Sequence, residues 1–437
     1  MIRKILVLCL VIAVVFSFSG CNLMMHDTAE LLSAPSLPKE LKPIADIIAE
    51  NAPAGYTLKY PSRGEYRSAI IRHDIDADGF DEAFVFYYTT DGETGSMHID
   101  MITKRKGNWS LVARQEIVAG GVDKVAFSDL NSDGTKEILV GWEIYGTSEM
   151  QLAVYTLDKN GITQMLLERY THFLACDLDE NSKEEILVIK ADSKEAGNSA
   201  FLYGWEQDAV TTLSSCALDS AAKTIAEPII APLSTGKTVA YIEEIKGIGA
   251  ITEVLIYEKG VLKNPLYSAD FKETVKTLRS VSLPTTDING DGILEIPVQE
   301  NVPSVAIGAA TEILYLTNWC SFDGESLTIQ QTSMININDG YMLNIPARLI
   351  GKIAILKNTQ THERGIYIYD SETLTVGDNL LTIQSVSQKD WESMKKKGTT
   401  ALELVHADGT VHILFISEAA EIYNITHESV KAAITTF

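Results

Sequence analysis

Along most of this chain, short apolar stretches alternate with polar clusters rich in Asp, Asn and Gly. The stretches carry β-branched and aromatic residues and are bounded by turn formers, which gives them strand rather than helix character. Residues 83–87 (Ala-Phe-Val-Phe-Tyr), 138–142 (Ile-Leu-Val-Gly-Trp) and 186–189 (Ile-Leu-Val-Ile) each follow a polar loop. The second and third of these loops are themselves preceded by apolar residues 125–127 and 173–175. Hairpin signals then recur at Gly107-Asn108, Asn160-Gly161, Lys259-Gly260 and Asp323-Gly324. One unit of this pattern predicts about four short strands.

The polar loops are the same loop repeated. Four segments place oxygen-bearing side chains at positions 1, 3 and 5 and a glutamate at position 9. They are Asp74, Asp76, Asp78, Glu82; Asp129, Asn131, Asp133, Glu137; Asp177, Asp179, Asn181, Glu185; and Asp287, Asn289, Asp291, Glu295. Their first residues step by 55, 48 and 110 along the chain, so a unit without the acids is expected between the third and fourth. Residues 228–232, the turn 234–237 and residues 239–242 supply it. Two more degenerate copies are read at 341–356 and at 402–415. Seven units of four strands describe an all-β fold, a β-propeller of about seven blades, in which stacked neighbours bury faces that one blade alone cannot. A C-terminal helix is expected over 426–437. Thr57-Leu-Lys-Tyr60 is expected to lend a strand to the last blade and cover its open edge. Six blades with a small C-terminal α+β piece is the alternative.

The loop spacing suits a hard cation that takes six to eight oxygens. Positions 1, 3 and 5 converge as the backbone curls, and Gly at position 6 in three of the four loops permits the sharp turn. Position 7 varies (Phe80, Thr135, Lys183, Ile293) because it offers only its carbonyl. Position 9 closes the site, and position 8 (Asp81, Lys136, Glu184, Leu294) is expected to point away. An EF-hand would carry its closing glutamate at position 12, where valine stands in all four loops (Val85, Val140, Val188, Val298). The expected ligands are structural Ca2+ ions, up to four.

At these residues the chain resembles the FG-GAP/VCBS repeat family, which includes the propeller loops of integrin α subunits. The resemblance spans about residues 65 to 415. It implies a propeller with calcium in its inter-strand loops. The Phe-Gly and Gly-Ala-Pro elements of that family are missing, and none of its ligand-contacting residues can be placed on this chain.

The N-terminus adds a compartment. Arg3 and Lys4 precede an uncharged apolar run at 5–16, and Phe18-Ser19-Gly20-Cys21 resembles a bacterial lipobox. Residues 1–20 are read as a signal peptide, Cys21 as the lipidated first residue of a tether over 21–36, and 37–56 as a helical segment. Ser36 is its candidate cap, Pro38 lies in its first turn, and Ile44, Ile47 and Ile48 share one face. The propeller occupies 57–437. The expected location is the outer face of the cell membrane, held there by lipid.

Of 437 residues, 36 are Lys or Arg and 59 Asp or Glu, a net charge of −23 that repels phosphate backbones and argues against nucleic acid. Cys176, Cys216 and Cys320 have no metal-ligand spacing and are read as buried thiols, one disulfide remaining open. Leu233-Ser-Thr-Gly-Lys-Thr238 mimics a phosphate loop, but Ala231 replaces the first Gly and a strand follows, so it is read as a repeat turn. There is no His-Glu-x-x-His and no Gly-x-Ser-x-Gly. The reading is a monomeric, non-catalytic envelope module that binds an extracellular protein or glycan. The alternative is an extracellular polysaccharide hydrolase or lyase working in the propeller funnel.

Overall fold

Antiparallel pairing between neighbours in sequence builds nearly everything in this computed structural model. It describes residues 38–437 apart from 92–93, 106, 159–160, 192–196, 304–313 and 359. The expected signal peptide, Cys21 and Ser36 lie outside the described residues. The first sheet pairs Ile70–His73, Glu82–Asp91, Thr94–Arg105 and Asn108–Ile117 in order. The second (Gly121–Ser128, Glu137–Glu143, Met150–Asp158, Gly161–Tyr170) and the third (His172–Cys176, Glu185–Lys190, Ser199–Glu206, Ala209–Ala217) repeat it. The fourth is the acid-free unit: Ile229–Pro232, Thr238–Lys246, Gly249–Glu258 and Val261–Lys263, with Thr224–Ile225 also on Thr238–Lys246.

Each sheet has two apolar faces, and chain neighbours bury them in turn. Phe84 and Phe86 meet Val140 and Trp142 between the first and second sheets. Leu139 and Val154 meet Phe173 and Val188 between the second and third. Leu187 and Leu202 meet Ala240 and Leu255 between the third and fourth. The array is the all-β, blade-by-blade packing of a propeller, as the repeat predicts.

Among the described residues, six sheets of four or five strands stand where seven units are expected. Tyr341–Asn344 does not pair with Ile353–Asn358; it folds back on Leu327–Asn336 and joins the fifth sheet behind Ile296–Val302 and Leu314–Phe322. The turn at Asp339-Gly340 makes that local hairpin, and local closure costs less chain entropy than a distant pairing. The sixth sheet then runs Ile353–Asn358, Glu363–Asp370, Thr375–Ser387, Thr410–Ile416, Leu402–Ala407, so the second strand of the sixth predicted unit shares one sheet with the seventh.

The expected edge closure is also replaced. Thr57–Leu58 pairs with Tyr88 and Tyr87 in the first sheet, not with the last one. The C-terminal residues do form a helix, α3 (His427–Ala433), but Ile434–Thr436 then adds a strand beside Tyr341–Asn344. Helices cover the terminal faces instead. Helix α1 (Lys42–Asn51) lays Ile44 and Ile48 on Val85, Tyr87 and Ile102 of the first sheet. It starts later than predicted: Pro43, not Pro38, occupies its first turn, and Leu41 caps it without a side-chain bond. Helix α2 (Gln388–Lys396), capped by Ser387, lays Trp391 on Val411 and Ile413 of the sixth sheet.

Candidate metal centres

All four acidic loops lie where the repeat places them, at one end of their sheets. The first three leave the first strand and enter the second; the fourth runs from Thr286 to Glu295, which bridge each other directly. One hydrogen-bond frame recurs. The position-6 amide donates to the position-1 carboxylate: Gly79 to Asp74 at 3.0 Å, Gly134 to Asp129 at 3.0 Å, Ser182 to Asp177 at 2.8 Å, Gly292 to Asp287 at 2.8 Å. The position-7 amide donates to the position-5 side chain at 2.7–2.8 Å in each. The position-2 amide donates to the closing glutamate: Ile75 to Glu82, Leu130 to Glu137, Leu178 to Glu185 and Ile288 to Glu295.

The turn needs two left-handed residues per loop. Position 6 has φ between +70° and +90°, which Ser182 meets without glycine's freedom. Position 4 is left-handed as well, at Ala77, Ser132, Glu180 and Gly290. Gly290 was the only hint of this in the sequence.

The closing glutamates are buried. Burial pushes Glu82 up to about 7, opposed by the Ile75 amide and reinforced by the charges of Asp76 and Asp78. Glu137 and Glu185 are pushed up to about 7, again chiefly by burial, and Glu295 is raised by the same cause. Asp74 Oδ1 is buried without a hydrogen-bond donor. A cation between the acids satisfies such oxygens and reverses the upward shift.

In two loops the ligand atoms already converge: one oxygen each from Asp74, Asp76 and Asp78, and from Asp177, Asp179 and Glu185, lie within 4.8 Å of one another. These clusters can hold a metal ion. In the other two, the position-3 amide fills the centre. Asn131 Nδ2 donates to Asp133 and Glu137 at 3.1 and 3.3 Å, and Asn289 Nδ2 to Asp291 and Glu295 at 3.0 and 3.4 Å. Their Oδ1 atoms accept from the Asp133 and Asp291 amides at 2.8 and 2.9 Å, so an ion at either loop would require these side chains to turn.

Position 8 points away from the acid cluster, into contacts with its surroundings. Asp81 pairs with Arg72 at 2.7 Å. Lys136 Nζ reaches His73 Nε2 at 3.0 Å, and Glu184 accepts from Ser128 at 2.7 Å, each contact crossing to the residue that precedes the neighbouring loop. Leu294 packs instead against the core between the fourth and fifth sheets. The acid-free turn joins the same row, since the Thr238 amide donates to Glu180 at 2.7 Å and Lys237 to the Leu178 carbonyl at 2.9 Å. Lys237 thus serves a loop contact rather than a phosphate. Cys176 and Cys320 are buried free thiols; Cys216, also free, is only partly covered.

No protein-family model matches the chain, and neither does any curated protein sequence. Solved structures show distant likeness. The rhamnogalacturonan lyase PL11 of Bacillus licheniformis is 12% identical, with TM-score 0.29 over 57% of this chain and 64% of the lyase, so this chain spans less than two thirds of that protein. The Dos1 propeller is 10% identical, with TM-score 0.28 over 81% and 68% of the two chains. The periplasmic gluconolactonase of Pseudomonas aeruginosa is 12% identical, with TM-score 0.26 over 73% and 86%. Likeness of this order bears on neither substrate nor activity.

Proposed function

We propose that this chain is an exported, lipid-anchored scaffold of the FG-GAP/VCBS type, non-catalytic, whose loops hold structural calcium at Asp74–Glu82, Asp129–Glu137, Asp177–Glu185 and Asp287–Glu295. The observation that carries the reading is the shared frame of the four loops, each with a buried closing glutamate, together with the oxygen donors that converge in the first and third. All-oxygen ligand sets select calcium or magnesium over softer metals, and a curled loop of irregular geometry suits calcium better than an octahedral magnesium ion. Each ion would lock the first strand of a sheet to the second, and the contacts between loops would pass that rigidity along the array. The acids that stand out in the sequence are thereby used for binding metal, not for general acid or base work. The stiffened array would present a surface to an extracellular protein or glycan, while Cys21 holds it to the membrane.

Equilibrium dialysis of the purified chain against calcium, with magnesium as competitor, tests the metal assignment. Two to four calcium ions per chain are expected, lost together with Glu82→Gln, Glu137→Gln, Glu185→Gln and Glu295→Gln. No bound calcium, or binding unchanged in the fourfold variant, contradicts it.

A further inference from the structure

The segment after the fourth sheet is turned inside out. Three of its polar residues are buried and its large apolar ones exposed: Thr274, Thr277 and Arg279 are at most 1% accessible, whereas Phe271 is 74% exposed and Val275 and Leu278 are about half exposed. Polar anchors hold it that way. Thr274 donates through Oγ1 to Glu253 at 2.6 Å and through its amide to Asp219 at 2.8 Å. Thr277 Oγ1 donates to the Thr252 carbonyl at 2.7 Å, and Arg279 binds Glu243. Ala250 and Arg279 exchange backbone bonds of 2.9 Å, which lays this segment beside the hairpin of the fourth sheet. At that hairpin's tip stands Ile248, 95% exposed. A fold that spends buried hydrogen bonds to hold four large apolar groups in water marks those groups as a contact surface.

We propose that Ile248, Phe271, Val275 and Leu278 form a membrane-docking edge that rests on the lipid bilayer. Three observations favour lipid over another occupant. First, the apolar groups are interleaved with Lys272 and Lys276, both exposed and in no ion pair among the described residues, in a chain that is otherwise strongly acidic. Glu273, the one acid in residues 271–280, is neutralised by Lys246 at 2.8 Å, while Asp270 flanks the segment. Apolar side chains with basic neighbours suit the interface of an anionic bilayer. Second, the edge lies at the opposite end of the sheets from the acidic loops. Strand Thr238–Lys246 begins at the loop end and runs to the Ile248 hairpin, and Val118 and Tyr145, also exposed, sit at the corresponding end of the first two sheets. The acidic end therefore faces away from the lipid. Third, sixteen residues separate Cys21 from Pro38, which reach at most about 55 Å when fully extended. This third point rests on the anchored reading above. A tether that short raises the local concentration enough for a weak surface to set the orientation.

The test uses the full chain on vesicles of mixed zwitterionic and anionic lipid. Ile248→Cys, Phe271→Cys and Leu374→Cys, each with Cys216→Ser, carry a polarity-sensitive fluorophore, and a lipid-borne quencher reads depth. Leu374 is an exposed control in the Asp370–Thr375 turn at the opposite end. Flotation reports whether the chain is held at lipid at all. The expected result is flotation with quenching at 248 and 271 and none at 374. Ile248→Asp with Phe271→Asp should melt as the parent and weaken the quenching of a label at Val275→Cys by about tenfold. Flotation with all three positions unquenched, or equally quenched, overturns the docking edge and leaves the anchor standing. No flotation overturns both.

Discussion

Ser128 Oγ donates to Glu184 across 2.7 Å, joining the residue just before the second acidic loop to the residue beside the closing glutamate of the third. Ser128 is buried and belongs to the second sheet, Glu184 to the loop of the third. The contact makes neighbouring loops mechanically dependent. In a double-mutant cycle, Ser128→Ala and Glu184→Ala should show a coupling of about 1 kcal/mol in thermal stability. The single change Ser128→Ala should also weaken metal binding at the third loop, read by calorimetric titration. Additive effects would break the link.

Glu137→Gln separates charge from hydrogen bonding. The glutamine oxygen can still accept from the Leu130 amide, now 2.9 Å from Glu137 Oε2. Since burial already disfavours the Glu137 carboxylate, metal-free stability should change by less than about 1 kcal/mol. Calcium affinity at that loop should fall about tenfold or more. Calorimetric titration gives the affinity and chemical denaturation in chelator gives the stability; an equal loss in both would assign Glu137 to packing alone.

Ser182 occupies the left-handed turn position that glycine holds in the other three loops. A Cβ added at Gly79, Gly134 or Gly292 would meet nothing within 4 Å, so backbone strain alone sets the cost there. Gly134→Ala should therefore destabilise the chain by about 1 kcal/mol. Ser182→Gly should stabilise it by about 0.5 kcal/mol, the relief of strain being offset by the freer unfolded chain. Paired denaturation curves decide both signs.

Glu244 gives the pH dependence. Both its carboxylate oxygens are buried without a donor beside Glu253, which already accepts from Thr274, Asn264 and the Asp219 amide. Burial, then the charge of Glu253, pushes Glu244 up to about 10, so the folded chain keeps its proton at neutral pH. A carboxyl whose folded value lies above its ordinary one stabilises the fold at low pH. That contribution is complete below about 4.5 and is lost as pH rises toward about 10. Melting temperature in chelator should fall between pH 5 and 9 and flatten in Glu244→Gln, whose amide can donate to Glu253. An unflattened slope would place the dependence elsewhere.

Much of the array was legible because its signals are local. Loop spacing, hairpin turns and apolar strands placed four loops and most strands, including the acid-free unit around Gly236. The errors came from choices between partners. Residues 341–344 carry an ordinary strand pattern, and nothing in it says whether they pair forward with Ile353–Asn358 or back on Leu327–Asn336. Thr57–Leu58 posed the same ambiguity. The contacts of Glu184 and Lys136 were not legible because their partners, Ser128 and His73, lie a whole unit away, 56 and 63 residues back. The inverted segment at 271–279 was invisible for a related reason: Thr274 and Thr277 look like surface residues until Asp219, Glu253 and the Thr252 carbonyl are placed beneath them.

The most direct measurement is the melting temperature of the purified chain in calcium and in chelator. Ions that hold strands together should raise it by several degrees or more, because a ligand bound only by the folded state adds its binding energy to stability. The rise should shrink with each closing glutamate replaced by glutamine. Superimposable melting curves in calcium and chelator would contradict the account.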